Sequence, residues 1–352
     1  DVHKLDINSF PDVDNYNEVL LKLLSSPAIA SKRWVYEQYD TMVRTNTVIP
    51  PGADAAVIRI KETPGALALK TDGNGRYSYL NPRKGGIIAV VEAARNIVCV
   101  GAKPLAITNC LNFGNPEDPE IFWQFKEVVS GIGEACKVLE TPVTGGNVSF
   151  YNEGISGAVF PTPVIGMVGF LENVANVMTP GFKDEGDFII LLGTIKGDLG
   201  GSEYLKQIHN VIRGDAPDID IFFEKRIQDA CLEAIERGIL KSAHDISDGG
   251  LAVALAECCI SGEKPVGANI IINRKMRNDE LLFGESQSVI IISVSEGDLI
   301  YFEEIAAKYH VPSEAIGRVR GDRLKINRRI DLKLEKIIDA YENSILNYMK
   351  HY

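Results

Sequence analysis

The chain has 352 residues, of which 45% are hydrophobic and 24% are charged, and its formal net charge at pH 7 is −11. These values are typical of a folded globular protein large enough for two domains, and they exclude a largely disordered chain. Binding to nucleic-acid phosphates needs clustered Lys and Arg, which this chain does not show, so we expect no nucleic acid as a partner. No apolar run reaches the roughly 18 residues that span a bilayer, so we expect no membrane as a partner.

The first 50 residues differ in pattern from the rest of the chain. Residues 1–50 are polar and of mixed character, with one amphipathic helix predicted at 16–24, and we interpret them as an N-terminal arm or linker. The first residue is Asp rather than Met, which is compatible with a fragment of a longer chain.

A regular pattern of apolar residues over 51–179 predicts a first domain. Its spacing predicts strands at 55–60, 66–71, 105–110, 142–149 and 164–170, and helices at 86–100 and 119–139. We expect an α+β domain in which the two helices cover one face of a sheet.

A Thr-Pro-Gly sequence at 179–181 interrupts the pattern and marks the expected domain boundary. The second domain, 180–352, is predicted to begin with a strand at 188–192. Its remaining elements are predicted as helices at 202–209, 219–237, 250–260, 296–309 and 334–349, and strands at 268–272 and 288–294.

The six cysteines show no CxxC spacing that would indicate a zinc site. Most of them lie in apolar helix or strand patterns, so we expect buried free thiols in a reducing compartment, which favours a cytoplasmic location.

Four segments rich in Gly, Asp and Asn follow apolar runs, at 103–116, 144–149, 197–203 and 244–250. Such loops have no obvious packing role and suit an anion or a nucleotide. The 197–203 segment matches neither the P-loop nor the Rossmann fingerprint, so a plain tight turn explains it equally well. Four such segments in one chain predict a binding site.

Three residues of the first domain are candidates for binding Mg²⁺ or a nucleotide. Asp72 ends a predicted strand before Gly-Asn-Gly, where a carboxylate suits Mg²⁺ and an Asx turn is the alternative. Glu92 and Asn96 lie four residues apart on one face of an otherwise apolar helix. Because a buried carboxylate is costly without a partner, we favour a ligand function over a solvated stripe shared with Arg95.

The second domain contributes two acids and a polar triplet. Asp245 and Asp248 precede the predicted helix at 250–260, and one of them is expected to be its N-cap. The other carboxylate would be free to bind Mg²⁺, and Asp245, which is nearer the strand end, is the candidate. The triplet at 285–287, Glu-Ser-Gln, is either a turn before a strand or a substrate contact.

Asn109, Gly146, Asn147 and Ser149 lie at the polar ends of two predicted strands. Amides and a hydroxyl can contact a base or a phosphate without carrying charge. The five histidines are scattered and indicate no covalent nucleophile. The residues therefore support Mg–nucleotide binding and, at most, phosphoryl transfer by positioning and electrostatics.

Four segments together resemble the large-subunit family of phosphoribosylformylglycinamidine synthases, and specifically the second half of its internally duplicated chain. They are 25–34 (SSPAIASKRW), 105–116 (LAITNCLNFGNP), 142–152 (PVTGGNVSFYN) and 244–251 (HDISDGGL), and the resemblance covers nearly all of 15–330. It implies an aminoimidazole ribonucleotide synthetase-like α+β fold, with an N-terminal sheet-and-helix domain that pairs through its sheet and a C-terminal α/β domain. It also implies an ATP- and Mg²⁺-dependent amidation of formylglycinamide ribonucleotide in purine biosynthesis.

The resemblance implies roles for individual positions. Asn109, which stands where the family usually has Asp, and Gly146 would contact the nucleotide. Asn147 would contact the metal and Ser149 the substrate. An auxiliary nucleotide, ATP or ADP, with Mg²⁺ is implied at four further positions, with nucleotide contacts from Asp72 and Asn96 and metal contacts from Glu92 and Asp245.

The family's catalytic histidine and most of its substrate-binding residues lie in a His-Asn-His-rich segment that has no counterpart in this sequence. We therefore expect half an enzyme with little activity alone. Its expected partners are the N-terminal half of the same subunit, a glutaminase subunit that supplies ammonia and a small accessory subunit, and the isolated half is expected to form a homodimer through residues about 55–170. The alternatives are a stand-alone enzyme, such as aminoimidazole ribonucleotide synthetase, and a non-catalytic scaffold half that holds a structural nucleotide.

Overall fold

Helices and strands are both distributed along the whole chain in the computed structural model, which describes residues 2–155 and 157–350. The helices are α1 Tyr16–Leu24, α2 Arg33–Tyr36, α3 Gly75–Leu80, α4 Pro82–Cys99, α5 Pro119–Leu139, α6 Glu203–His209, α7 Ile221–Glu236, α8 Gly250–Ile260, α9 Asn278–Phe283, α10 Leu299–Lys308, α11 Leu334–Glu342 and α12 Ser344–Lys350. The strands are β1 Thr47–Ile49, β2 Ala56–Arg59, β3 Ala66–Asp72, β4 Lys103–Asn112, β5 Val143–Ser149, β6 Glu153–Gly154, β7 Gly157–Ala158, β8 Thr162–Leu171, β9 Phe188–Gly193, β10 Leu240–Asp245, β11 Ala268–Ile270, β12 Val289–Val294, β13 Ser313–Val319, β14 Arg323–Ile326 and β15 Ile330–Lys333.

The first sheet has the strand order β1-β2-β3-β8-β4-β5. Its neighbouring strands run antiparallel, except that β4 and β5 pair in parallel. Helices α4 and α5 pack on one face and bury Val90, Val128 and Ile107. Each of these helices begins with an Asn or Asp N-cap followed by Pro, a sequence that satisfies the first free N–H groups and presets the backbone. Strand β5 forms an edge of the sheet and is exposed along most of its length.

The second sheet has the strand order β10-β12-β9-β13-β11-β14-β15. Its pairs are antiparallel, except for the parallel pair of β11 and β14. Helices α8 and α11 contribute to the core on one face, and α7 and α10 to the core on the other. Strands β9 and β12 are almost wholly buried, which explains their continuous apolar sequences.

Helix α1 of the N-terminal arm packs with the second domain, although the first domain follows it in sequence, whereas the end of the arm forms strand β1 of the first sheet. Helix α1 is capped by Asn15 and buries Tyr16, Leu20 and Leu23 on one face. These side chains share a core with Leu251 of α8. The apolar residues at helical spacing around 16–24 are thus explained by docking onto α8, α11 and β15.

Helix α4 connects the two domains. Its last turn, Val98 and Cys99, enters the core that α7 and β10 form in the second domain. The helix is therefore buried on nearly all sides. Its polar residues Glu92, Arg95 and Asn96 need polar partners for this reason, and β10 and α7 are the elements close enough to supply them.

The α+β class predicted from the sequence is confirmed. The helices predicted at 119–139 and 250–260 coincide with α5 and α8, whereas the helix predicted at 334–349 is divided at Asn343 into α11 and α12. Strands β13 to β15 were not predicted, because they are short and carry several charged residues. Among the described residues, no helix is long and apolar enough to cross a membrane.

Candidate functional site

A cleft of about 1190 Å³ lies between the first sheet, the N-terminal arm and the second domain. Lys32 of the arm, Lys70 and Thr108 of the first sheet, and His244 and Asp245 at the end of β10 are among the residues that line it. Four basic side chains, Lys32, Arg33, Lys70 and His244, line the cleft together with four acidic ones, Asp54, Asp245, Glu257 and Glu342. The basic side chains could contact an anionic ligand, although the lining as a whole has no excess of positive charge.

Asp245 lies where the cleft meets helix α4, and both of its carboxylate oxygens accept hydrogen bonds. Oδ1 accepts from Nε of Arg95, and Oδ2 accepts from Nδ2 of Asn96 at 3.1 Å. Burial raises the pKa of Asp245 to about 6, although the nearby Arg95 guanidinium lowers it.

The Asn96 amide links two carboxylates to a lysine. Its Nδ2 donates to Oδ2 of Asp245, to Oδ2 of Asp72 at 3.4 Å and to the backbone oxygen of Glu92 at 2.8 Å. Its Oδ1 accepts from Nζ of Lys70 at 3.1 Å. Three acceptors around Nδ2 and one donor at Oδ1 fix the orientation of the amide. Burial raises the pKa of Asp72, against the attraction of Lys70.

Arg95 is completely buried, so the alternative of a solvated stripe shared with Glu92 is wrong. Its Nη1 donates to Oε2 of Glu224 at 2.8 Å, and its Nη2 donates to Oε1 of Gln287 at 3.0 Å. Nε2 of Gln287 in turn donates to Oε2 of Glu92 at 3.3 Å. Burial raises the pKa of the Glu92 carboxyl well above its ordinary value.

His244 lies between two carboxylates, Asp54 of the first domain and Glu257 of its own domain. Its Nδ1 lies 3.0 Å from both carboxylate oxygens of Asp54, and its Nε2 lies 3.1 Å from Oε2 of Glu257. Burial disfavours the charged imidazole, but the two carboxylates outweigh burial and raise the pKa of His244 well above its usual value. Positive charge on His244 is offset by the two carboxylates that flank it.

Asp248 does not cap helix α8, and neither does Asp245, so the predicted N-cap is wrong. The N-cap is Gly249, whose φ of 82° suits glycine and whose position offers no side-chain bond. Asp248 Oδ1 accepts instead from Nδ2 of Asn74 at 3.1 Å and from Nη2 of Arg76 at 3.4 Å. Both donors belong to the first domain, so Asp248 forms another contact between the domains.

The triplet at 285–287 is a buried polar hub. Glu285 Oε1 accepts from the backbone N–H groups of Glu203 at 2.8 Å and Gly249 at 2.7 Å. The Ser286 hydroxyl accepts from the backbone N–H of Gly197 at 3.0 Å. Burial raises the pKa of Glu285 to about 8. The triplet thus holds the 197–203 loop and the start of α8, the two segments that the sequence analysis singled out in the second domain.

A second set of predicted site residues lies at the open edge of the first sheet. The parallel register of β4 and β5 places Asn109 opposite Gly146, with Asn147 and Ser149 following along β5. A Cβ on Gly146 would lie 2.0 Å from Oδ1 of Asn109, so only glycine allows the amide to lie across this strand. The Ser149 hydroxyl donates to Oδ1 of Asn152 at 3.3 Å.

The structure therefore brings Asp72, Glu92, Asn96 and Asp245 into one cluster and places the other four predicted positions at the sheet edge. Across residues 2–155 and 157–350, no group of three or more His, Cys, Asp and Glu side chains is arranged so that it could hold a metal ion. The metal roles of Asn147, Glu92 and Asp245 remain predictions. Four polar partners in and around the cluster were not predicted from the sequence: Asp54, Lys70, Glu224 and Glu257. Asp54 and Glu224 pair with residues more than 100 positions away along the chain, and no local pattern indicates such a contact.

Comparisons with known proteins identify close relatives. Residues 52–171 match the family described as AIR synthase related protein, N-terminal domain, and residues 184–327 match its C-terminal domain. The chain is 51% identical over 342 residues to phosphoribosylformylglycinamidine synthase subunit PurL of Alkaliphilus metalliredigens, which covers 97% of this chain and 46% of the relative. Two solved structures of T. maritima PurL, complexed with FGAR and with ADP, superpose with TM-scores of 0.72 and 0.69 at 19% identity. These alignments cover 92% of this chain and 54% and 52% of the T. maritima chains, so the chain spans about half the length of the curated relatives it matches.

Proposed function

Because the chain belongs to the AIR synthase related protein family, we propose that it is the nucleotide-binding C-terminal half of a synthetase that amidates formylglycinamide ribonucleotide. In this ATP-dependent C–N ligation, the formyl amide oxygen is phosphorylated and ammonia then displaces phosphate to give the amidine. Relatives at 49–51% identity, each named as subunit PurL of phosphoribosylformylglycinamidine synthase, support this reaction. Their identity also favours it over a stand-alone enzyme of another kind.

The observation that carries the proposal is the parallel register of β4 and β5. It aligns Asn109, Gly146, Asn147 and Ser149 at one exposed sheet edge. Asn109 and the glycine backbone are the proposed nucleotide contacts, and the Ser149 hydroxyl is the proposed substrate contact. The exposed amide oxygen of Asn147 is a hard ligand of the kind that Mg²⁺ accepts, and Mg²⁺ would neutralise phosphate charge when bound.

The sheet edge requires a second domain to complete the reaction site. Apolar side chains are exposed on this sheet, among them Leu69, Val143 and Val148. An exposed apolar sheet edge is a surface that pairs with another chain or segment. We assign it to the N-terminal half of the same subunit, which would also supply the catalytic histidine. A glutaminase subunit would provide ammonia, and a small accessory subunit completes the proposed assembly.

The cleft between the domains is proposed to hold an auxiliary nucleotide, ADP or ATP. Lys32, Arg33 and Lys70 line it and are the side chains suited to facing the phosphates, since both ring nitrogens of His244 already face carboxylates. Lys70 is held by Asn96 at 3.1 Å and lies 3.9 Å from Asp72. Asp72 and Asn96 would therefore act on the nucleotide by orienting Lys70.

Calorimetric titration with ADP tests the cleft. Replacing Lys70 with Met removes the ammonium but keeps most of the apolar stem, and we expect affinity to fall about tenfold or more. Lys325→Met is the matched control, because Lys325 is a half-exposed strand residue of the second sheet and is not among the residues that line the cleft. Equal affinity of the Lys70 variant and wild type, or no binding to wild type, would refute the cleft assignment.

A further inference from the structure

Arg95 lies at the centre of the acid cluster between the two domains. Its side chain is 0% exposed, and all three guanidinium nitrogens have partners. Nε donates to Asp245, Nη1 to Glu224 at 2.8 Å and Nη2 to Gln287 at 3.0 Å. Nη2 also lies 3.7 Å from Oε2 of Glu92. One side chain of the first domain thus contacts three groups of the second domain and a carboxylate on its own helix.

A buried guanidinium is stable only when it is paired, since it stays charged at every physiological pH. The pairing is reciprocal, because Asp245 and Glu224 are also almost fully buried and would be uncompensated without Arg95. The guanidinium therefore supplies these carboxylates with the positive charge that a divalent cation would otherwise supply.

The orientation of the Asn96 side-chain amide also argues against a bound divalent cation. An asparagine that binds Mg²⁺ presents its amide oxygen to the ion. In this chain the oxygen accepts from Lys70, and it is the Nδ2 group that faces Asp72 and Asp245. Between these two carboxylates the structure has an N–H donor where a metal ligand would offer an acceptor.

We propose that Arg95, together with the Asn96 amide, is the resident counter-ion of this cluster, and that Glu92 and Asp245 bind no divalent cation in this chain. The family resemblance implies Mg²⁺ at these two positions, and the hydrogen bonds around them do not fit that role. Helix α4 carries Glu92, Arg95 and Asn96, so the guanidinium and the amide N–H group that face these carboxylates belong to the fold itself.

The opposing physical argument is the charge balance. Four carboxylates face two fixed cations in this cluster, which leaves a formal excess of negative charge that could attract a divalent ion: Asp72, Glu92, Glu224 and Asp245 against Lys70 and Arg95. A metal titration therefore decides between the two accounts.

Mn²⁺ is the probe, and its binding to the intact chain is measured by electron paramagnetic resonance without nucleotide, so the result does not depend on the proposed function. The Asp245→Asn variant should bind Mn²⁺ with the same affinity as wild type. Asn147→Ala is the control for binding at the sheet edge. A Mn²⁺ site that is lost in Asp245→Asn and retained in Asn147→Ala would overturn the proposal.

Arg95→Gln tests the second part of the proposal. It removes the guanidinium charge but keeps an amide, and we expect Mn²⁺ affinity to rise about tenfold or more as the ion enters the vacated position. Adding Asp245→Asn should abolish this gain. A folded Arg95→Gln protein that binds Mn²⁺ no better than wild type would contradict the assignment of Arg95. If that variant does not fold, the wild-type comparison with Asp245→Asn still decides the proposal.

Discussion

Replacing Gly146 with Ala tests whether the sheet edge binds nucleotide. The added Cβ would lie 2.0 Å from Oδ1 and 2.9 Å from Cγ of Asn109, whereas ordinary contacts begin at 3.4 Å. The amide therefore has to move by about 1.4 Å, the difference between 3.4 and 2.0 Å. Asn109 is only partly buried, so its side chain can rotate away and a proposed nucleotide contact is displaced. The Cβ would also lie 3.0 Å from the backbone oxygen of Asn109, so β4 and β5 have to shift apart by a few tenths of an ångström.

We expect ATP affinity to fall about tenfold, which corresponds to about 1.4 kcal/mol, while the free energy of unfolding falls by about 1 kcal/mol or less. The assay is calorimetric titration of Mg–ATP in a Lys70→Met background, which weakens binding in the cleft, together with thermal unfolding. Gly145→Ala is the matched control on the same strand, because a Cβ at Gly145 meets no described atom within 4 Å.

Two results would refute the reasoning. In the first, adding Gly146→Ala to the Lys70→Met protein leaves its affinity for ATP unchanged, which would mean that Asn109 makes no nucleotide contact. Alternatively, Gly145→Ala could lose as much affinity as Gly146→Ala, which would attribute the loss to the strand as a whole and not to the displaced amide.

Three further predictions concern assembly, pH and the contact between the domains. Sedimentation at micromolar concentration should give a homodimer that Val148→Lys converts to a monomer, because apolar side chains are exposed on the first sheet; a wild-type monomer would contradict the proposed pairing. Burial raises the pKa of Glu285 from 4.5 to about 8, so its protonated form stabilises the fold fully below about pH 4.5 and this contribution is lost as pH rises through about 8. As pH rises from about 4.5 to about 8, the unfolding midpoint of wild type should therefore fall relative to that of Glu285→Gln. A difference between the two midpoints that does not change with pH would contradict the raised pKa. Asp54→Asn should lower the free energy of unfolding by about 3 kcal/mol, because His244 loses a buried partner, whereas Asp331→Asn in an exposed pair should change it by about 0.5 kcal/mol or less; equal losses would contradict the role of Asp54.

The parts of the fold that the sequence predicted have strong local signals. Helix α5 begins with Asp118 and Pro119 and has an amphipathic pattern over its whole length. Helix α8 is almost entirely apolar and lies between glycines and a polar loop. Strands β13 to β15 lack such signals. Their stability comes from pairing, β13 with β9 and β11, β14 with β11, and β15 with β14, and not from their own sequences.

The candidate site was only partly predictable for the same physical reason. Glu92 and Asn96 were recognisable because polar residues are costly inside an apolar helix. Arg95 lies in the same helix, and its burial depends on Asp245, which is 150 residues away in the sequence. Only the folded chain shows that its guanidinium, rather than solvent, faces the acids.

The N-cap of α8 gives a second example. Asp248 and Asp245 have the residue type that favours capping, but a glycine with positive φ begins the helix and frees both acids for contacts with the first domain. The preference of Asp for the N-cap position was overridden by pairing between the domains. The local sequence gives no indication of such pairing.

The most direct test of the account is amidine formation from formylglycinamide ribonucleotide with ATP, Mg²⁺ and ammonia, measured for this chain alone and after addition of the N-terminal half of the PurL subunit from Alkaliphilus metalliredigens, the relative at 51% identity. The account predicts no measurable product from the chain alone and product when a complex with the added half forms. Turnover by the chain alone at a rate comparable to that of an intact synthase would contradict the central claim, and so would a stable complex of the two halves that forms no amidine.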